Sequence, residues 1–148
     1  MDITAMSGLE LLRAAMERGR ESGVGIAHLL GMEAESIEEG RVVFSLEAGP
    51  QFSNPLGTVH GGILSTLLDS AMSCAVHTAL GPGVGYTTLE LKVNFIRGAA
   101  LDAGKLVCEG TTIHVGRRTA TAEGRILDTA GRLIAHGTAT CMIFQPEK

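Results

Sequence analysis

One long apolar stretch, residues 60–80, constrains the fold more than any other part of the sequence. It is rich in Ala, Leu, Ser and Met, it is too long for a strand, and it stops at Gly81-Pro82, which predicts a helix that ends there. Apolar side chains lie nearly all round this helix, which is typical of a helix buried at the centre of a domain. The rest of the chain must therefore cover it.

The second half of the chain predicts the strands that provide this cover. Residues 87–96 alternate between apolar and polar side chains, and further strands are expected over 104–114, 117–127 and 133–144. Residues 128–131, Asp-Thr-Ala-Gly, are typical of a hairpin turn and separate the last two strands. We expect these strands to pair in an antiparallel sheet.

The first half begins with a helix over about residues 7–20, where Ser7 and Glu10 form a Ser-x-x-Glu capping box. A strand over roughly 31–46 and a turn-rich loop follow it. The order α-β-α-β-β-β-β predicts an α+β fold, in which a curved antiparallel sheet of about five strands wraps around one long central helix. We expect residues 1–148 to form a single domain.

Composition excludes several classes of function. The net charge is −4, which argues against a surface that binds nucleic acid. We expect no signal peptide and no membrane span, because the start lacks basic and apolar regions and no apolar window is long enough. The three cysteines are odd in number and form no CxxC pair, so we expect reduced thiols, a cytoplasmic location and no membrane partner.

The junction between the loop and the long helix is the first candidate site. The leading backbone N–H groups of a helix have no internal partner, and the helix dipole is positive there. Because Gly61 and Gly62 leave this backbone bare, a thioester carbonyl could approach it closely and its oxyanion could be stabilised. Alternatively, the two glycines only ease packing at the start of the helix.

Asp69 is the second candidate. It lies in the middle of the helix among apolar residues, where a carboxylate is costly to bury without a partner. The alternative is a structural Asp that is satisfied by its neighbours, or one on a narrow solvated strip with Ser65, Ser73 and His77. Because buried carboxylates with perturbed environments cluster at active sites, we favour a catalytic Asp69.

The spacing of these two candidates predicts a dimer. His60 and Asp69 are nine residues apart, which puts them on nearly opposite faces of the helix. Gly61 and Asp69 are separated by about 12 Å along the axis. One thioester carbon cannot touch both in the same chain. If both act on one substrate, they come from different subunits, and two symmetric sites lie at a dimer interface.

Five further residues have more than one interpretation. His60 could be a general acid, a positioning group or a helix-entry residue, and Asn54 could cap the loop or bind a water or a carbonyl. Arg97, Arg117 and Arg118 lie next to turns, where arginines are usually solvated surface. They would also suit the phosphates of a nucleotide-bearing thiol.

Other catalytic motifs are absent from the sequence. The histidines form no HxH or HExxH cluster, so we expect no metal site. There is no Gly-x-Ser-x-Gly nucleophile elbow, no GxGxxG before a helix and no Walker loop. Cys74 lies on the apolar helix, where a thiol belongs to the core far more often than to a catalytic site.

Several motifs spread over residues 30–144 belong together. They are Asn54-x-x-Gly57-x-x-His60-Gly61-Gly62, Asp69 with Ala71, Leu80-Gly-Pro-Gly83, Thr87-Thr-Leu-Glu-Leu91, Asn94-Phe-Ile-Arg97 and Val115-Gly-Arg-Arg-Thr119. As a set they resemble the hotdog-fold thioesterases of the phenylacetate-pathway (PaaI-like) group. The motifs are specific to this fold and group, although they do not specify a substrate.

The resemblance implies a fold, a reaction and an assembly. The fold would be the hotdog, a long helix wrapped by an antiparallel sheet. The reaction would be hydrolysis of an acyl-CoA thioester to free acid and CoA, without a metal or redox cofactor. Two subunits would join their sheets in a homodimer with shared active sites, and two such dimers commonly form a homotetramer.

The resemblance also implies roles for residues. Asp69 would be the nucleophile or the general base on water, and the Gly61 N–H of the other subunit would polarise the thioester carbonyl. His60 and Asn54 would orient the carbonyl and the attacking water. Thr87 matches the hydroxyl that assists the carboxylate, with Ser73, one turn from Asp69, as the rival. The expected substrate contacts are Gly62 and, at the CoA phosphates, Arg97, Arg117 and Arg118.

Three competing functions remain open at this point. A hotdog dehydratase that acts on a 3-hydroxyacyl thioester would use a His with a carboxylate, but the His-Phe-Pro-type start of that group is absent. A non-catalytic acyl-CoA-binding module would not need Asp69. A structural subunit would use the sheet edge for assembly only. The sequence also leaves open the acyl group and the carrier, which could be CoA or an acyl-carrier protein.

Overall fold

The computed structural model describes residues 2–147. It has three α-helices, α1 (Gly8–Ser22), α2 (Ile26–Leu30) and α3 (Gly61–Thr78), and short 3₁₀ turns at Ile3–Ala5 and Pro50–Phe52. The six strands are β1 (Glu33–Glu38), β2 (Arg41–Glu47), β3 (Gly85–Phe95), β4 (Lys105–Val115), β5 (Thr119–Leu127) and β6 (Leu133–Phe144).

The strands form one antiparallel sheet in the order β1-β2-β4-β5-β6-β3, and the sheet wraps around α3. The core lies between them, and the helix residues that face the sheet are fully buried, among them Leu67, Leu68, Ala71, Met72, Ala75 and Val76. This confirms the α+β hotdog arrangement and the buried central helix predicted from the sequence. The capping box of Ser7 and Glu10 at the start of α1 is also confirmed.

The prediction of one strand over 31–46 is wrong. The segment begins with the end of α2 and then forms the hairpin of β1 and β2, which pair antiparallel around a tight turn at Glu39 and Gly40. Gly40 has a φ of 77°, the left-handed region that the turn requires and that glycine adopts without strain. The sheet therefore has six strands instead of about five.

Two glycines of the sheet allow α3 to approach it closely. Gly110 on β4 and Gly124 on β5 are register partners beneath the helix. A Cβ at Gly110 would lie 2.4 Å from the carbonyl of Ala71, and one at Gly124 would lie 3.0 Å from Cγ of Met72. The middle of α3 is thereby fixed against the sheet, and this fixes the height of Asp69 above it.

Strand β3 lies at an edge of the sheet, where β6 is its only partner. It runs antiparallel to α3 along the length of the helix. Phe95 meets Gly61, Thr88 meets Asp69, and Tyr86 meets His77. None of the helices described is long and apolar enough to cross a membrane.

Candidate active site

The first turn of α3 leaves one backbone donor free. His60 is the N-cap, and its ring Nδ1 accepts a 2.8 Å hydrogen bond from the Gly62 N–H. The N–H groups of Ile63 and Leu64 bond to the carbonyl of His60. Within residues 2–147, no acceptor is hydrogen-bonded to the Gly61 N–H. Of the two glycine donors predicted here, Gly62 is therefore occupied and Gly61 is available to a ligand.

Asn54 holds the loop that leads into α3. Its Oδ1 accepts hydrogen bonds from the backbone N–H groups of Leu56 at 3.0 Å and Thr58 at 3.1 Å, and its Nδ2 donates to the Thr58 hydroxyl at 2.8 Å. Both interpretations of Asn54 thus keep some support, since it shapes the loop and one hydrogen of its amide remains for a ligand.

Asp69 is half-buried in the middle of α3. Its Oδ1 accepts a 2.8 Å hydrogen bond from the hydroxyl of Thr88 on β3. Within the part of the chain that is described, Oδ2 has no hydrogen-bond donor. The carboxylate is therefore fixed by one oxygen, while the other is available to a reacting group.

The hydroxyl expected from Thr87 comes from Thr88. Thr88 is opposite the buried Cys141 on β6 and faces the helix, whereas Thr87 is opposite Met142 and is exposed. Successive side chains of a strand point to opposite faces, so an error of one residue moves a hydroxyl from the site to the outside. A β-bulge between Thr88 and Glu90 shifts the alternation in this strand, and the sequence pattern of 87–96 does not reveal it.

Ser73, the rival of Thr87, is buried one turn beyond Asp69. It lies close to the hydroxyl of Tyr86, which is also close to the thiol of Cys74. The Tyr86 ring lies against the His77 imidazole, with 4.9 Å between ring centroids. Sequence analysis missed Tyr86, although the one tyrosine of a chain with 3% aromatic residues, placed on a strand, was a signal.

Burial keeps this group uncharged. It raises the pKa of the Tyr86 hydroxyl, raises the pKa of the Cys74 thiol to about 12 and lowers the pKa of His77. Near neutral pH the hydroxyl, thiol and imidazole are therefore all neutral. On this face of the helix Asp69 supplies the carboxylate. The hydroxyl, thiol and imidazole further along the helix are polar but carry no charge.

The two candidate half-sites do not meet in one chain. Gly61 begins α3 and Asp69 lies eight residues further on, which is about 12 Å along the axis. The free N–H and the free carboxylate oxygen are therefore too far apart to act on one carbonyl.

The three arginines lie at opposite ends of the sheet. The Arg97 N–H bonds to the carbonyl of Ile134, whereas the Arg118 carbonyl accepts from the N–H of Ile143. Nine residues of β6 separate these two points, which is roughly 30 Å. Arg97 therefore cannot contact the same phosphate as Arg117 and Arg118 within one chain, although all three side chains are exposed.

The chain is similar in sequence and structure to known proteins. The family model of the thioesterase superfamily matches residues 56–135. The 1,4-dihydroxy-2-naphthoyl-CoA hydrolase of Listeria monocytogenes is 27% identical over 84% of this chain and 100% of its own length. Acyl-coenzyme A thioesterase 13 of Mus musculus is 29% identical over 68% of this chain and 71% of its own. The E. coli PaaI protein from the phenylacetic acid degradation operon has the same fold, with a TM-score of 0.79 and 21% identity over 93% of this chain and 97% of that one.

Proposed function

This chain belongs to the thioesterase superfamily, and on that premise we propose that it hydrolyses acyl-CoA thioesters in a homodimer with shared active sites. The observation that carries the proposal is that α3 presents two groups that are free to bind a substrate. One oxygen of the Asp69 carboxylate is held by Thr88 and the other is free, and the Gly61 N–H has no hydrogen-bond acceptor within residues 2–147. The names of the Listeria and mouse relatives support CoA as the carrier. Three free thiols support a reducing compartment such as the cytoplasm.

The edge strand β3 is the surface on which we propose that two copies join. It is long, it has β6 on one side only, and it exposes the apolar Leu89 and Phe95. An unpaired edge of this kind is a template for pairing with another strand. A second copy is the occupant that also completes the active site.

The register of this pairing follows from the two contacts between β3 and α3. Thr88 lies at Asp69 and Phe95 lies at Gly61. When two copies of β3 pair antiparallel with Thr88 opposite the partner's Phe95, Asp69 comes next to the partner's Gly61. The bulge beside Thr88 leaves one residue of β3 without a residue opposite it. The two-fold axis that relates the two subunits therefore passes through Lys92.

In this register the two Lys92 side chains lie directly opposite each other, and the two Glu90 side chains offset the repulsion between them. Glu90 and Lys92 both point to the outer face of the sheet and are exposed. With Lys92 on the axis, each Lys92 is the diagonal neighbour of the partner's Glu90. Diagonal pairs of opposite charge stabilise neighbouring strands.

The arginines also converge in this arrangement. The partner's Arg97 reaches the level of Tyr86, and Tyr86 pairs with Ile143 on β6, whose N–H bonds to the carbonyl of Arg118. Three strand spacings, about 15 Å, then separate the backbone of the partner's Arg97 from the turn of Arg117 and Arg118, a gap that the long arginine side chains can narrow. We assign the phosphates of CoA to this group.

The chemistry uses the two half-sites together. The thioester carbonyl oxygen accepts a hydrogen bond from the partner's Gly61 N–H, which stabilises the negative charge that develops on it. The Asp69 carboxylate either attacks the acyl carbon to give an anhydride that water then cleaves, or removes a proton from the attacking water. The C–S bond breaks, the CoA thiolate leaves and takes up a proton, and the acid is released.

A thiol-release assay over acyl-CoAs with short, medium, long and aryl acyl groups tests this function. We expect release with at least one substrate and a loss of about 100-fold or more in kcat for Asp69→Asn, since a positioned acid or base contributes about 10²–10⁴-fold. Asp102→Asn, on an exposed loop, is the matched control and should keep full activity. No release from any substrate, with retained binding of acyl-CoA, would favour a binding module.

A further inference from the structure

The seam between α3 and β3 continues beyond the catalytic carboxylate. Asp69, Ser73 and His77 follow one another at four-residue spacing, which places them on one face of the helix. Tyr86 and Thr88 face them from β3. Because β3 is an edge strand, this seam is open along one side of the chain until a partner covers it.

The seam is filled on the other side of Asp69, towards the start of the helix. There the ring of Phe95 covers Gly61, and a Cβ at Gly61 would lie 3.0 Å from its Cζ atom. Between Phe95 and Thr88, Leu91 and Val93 of β3 pack against the core, so an acyl group bound at Asp69 cannot extend in this direction. The direction that remains along the seam leads past Ser73.

The side chain of Tyr86 blocks that direction. Its hydroxyl lies close to Ser73 and Cys74, and its ring lies 4.9 Å from the His77 ring. A ring held at both its hydroxyl and its face does not swing aside without breaking these contacts. Ser73 is one turn beyond Asp69, so the ring lies about 6 Å along the helix axis from the carboxylate.

We propose that Tyr86 is the specificity-determining residue that closes the acyl end of the site, and that the substrate is a thioester of a short acyl group. The inference rests on the proposed hydrolysis and adds the substrate class.

The test compares kcat/KM for acetyl-, butyryl-, octanoyl- and palmitoyl-CoA in wild type, Tyr86→Ala and Tyr86→Phe. We expect wild type to favour the short chains. Tyr86→Ala, which opens the seam back to His77, should raise the ratio of octanoyl to butyryl activity by about tenfold or more, as expected when apolar contacts are gained in a pocket. Tyr86→Phe keeps the ring and should change this ratio much less.

Further variants separate specificity from folding. Tyr86→Val replaces the ring with a β-branched side chain that suits a strand, and it should give the same direction of change if Tyr86→Ala does not fold. His77→Ala removes the contact at the face of the ring and should change the ratio in the same direction as Tyr86→Ala, but by less. Wild-type preference for palmitoyl-CoA, or an unchanged ratio in a folded Tyr86→Ala, would overturn this inference and leave the hydrolysis standing. Absence of release from every acyl-CoA would overturn the hydrolysis itself.

Discussion

The hydroxyl of Thr88 donates a 2.8 Å hydrogen bond to Oδ1 of Asp69 and so ties the edge strand of the sheet to the central helix. The same strand carries this hydroxyl, the ring of Tyr86 and the edge proposed for assembly. Changes on β3 are therefore expected to affect chemistry, specificity and association separately, according to which face of the strand they alter.

Replacement of Thr88 by Val should lower kcat by about 10- to 100-fold, because a hydrogen bond to a charged group contributes about 1.5–3 kcal/mol. KM should change little, since the hydroxyl orients the carboxylate and not the CoA. Thr87→Val is the matched control, because its side chain is exposed on the outer face. Steady-state kinetics of both variants decide between the two threonines. Equal loss in both would contradict the role of Thr88.

Replacement of Gly61 by Pro removes the proposed oxyanion donor and keeps the helix. Gly61 is the first residue of α3, where proline is tolerated, and His60 before it has the extended φ of −60° and ψ of 136° that a proline requires. Loss of one such donor should lower kcat by about 100- to 1,000-fold. Gly61→Ala also places a Cβ against Phe95 but keeps the N–H. If the kcat of Gly61→Pro is close to that of Gly61→Ala, the Gly61 N–H is not the oxyanion donor.

Replacement of Lys92 by Cys tests the register of the dimer. Residues that face each other across an antiparallel pair are about 4.5–5.5 Å apart at Cα, within the distance that a disulfide spans. Under mild oxidation Lys92→Cys should form a covalent dimer, seen on a non-reducing gel, that stays active. Asn94→Cys, which lies opposite the partner's Glu90, should not. Efficient cross-linking of Asn94→Cys alone would place the axis elsewhere.

The turn between β5 and β6 should make stability depend on pH. Asp128 accepts hydrogen bonds from the N–H groups of Ala130 and Arg132 and pairs with the Arg132 guanidinium at 2.7 Å, and the backbone bond from Arg132 is the main reason that its pKa is lowered from 3.8. Because folding lowers this pKa, the contribution is complete above pH 3.8 and is lost as the pH falls through the lowered value.

Asp128→Ala should therefore melt at a lower temperature than wild type at pH 7. The difference should shrink below pH 3.8, where wild type loses the same contribution. Thermal melts followed by circular dichroism at pH 7, 5 and 3 measure it. A difference that stays constant down to pH 3 would assign the effect to the loss of turn geometry and not to the carboxylate charge.

The sequence was informative where local chemistry decides the structure. The glycine and proline after the long apolar stretch, the capping box at Ser7 and the turn at Asp128 each act over a few residues, and each is found as predicted. The candidates Asp69 and Gly61 also came from local arguments, namely an isolated carboxylate and a bare helix start.

The sequence was less informative where contacts between distant segments decide. A bulge beside Thr88 decides which side chains of β3 face the helix. The bulge is fixed by pairing with β6, about 50 residues further along the chain. The role of Tyr86 depends on β3 lying antiparallel to α3. The hairpin at Gly40 is a different case, since Glu39-Gly40 was a readable turn signal, but the polar β1 is not recognisable as a strand without its pairing with β2.

The distance between Gly61 and Asp69 along α3 has a genetic consequence. A subunit with Asp69→Asn and a subunit with Gly61→Pro are each inactive as a homodimer, but their mixed dimer has one site with both defects and one with neither. Random association of equal amounts would leave about one quarter of all sites intact. Co-expression of the two variants should therefore restore activity in a cell extract, and two loss-of-function alleles of this gene would complement each other.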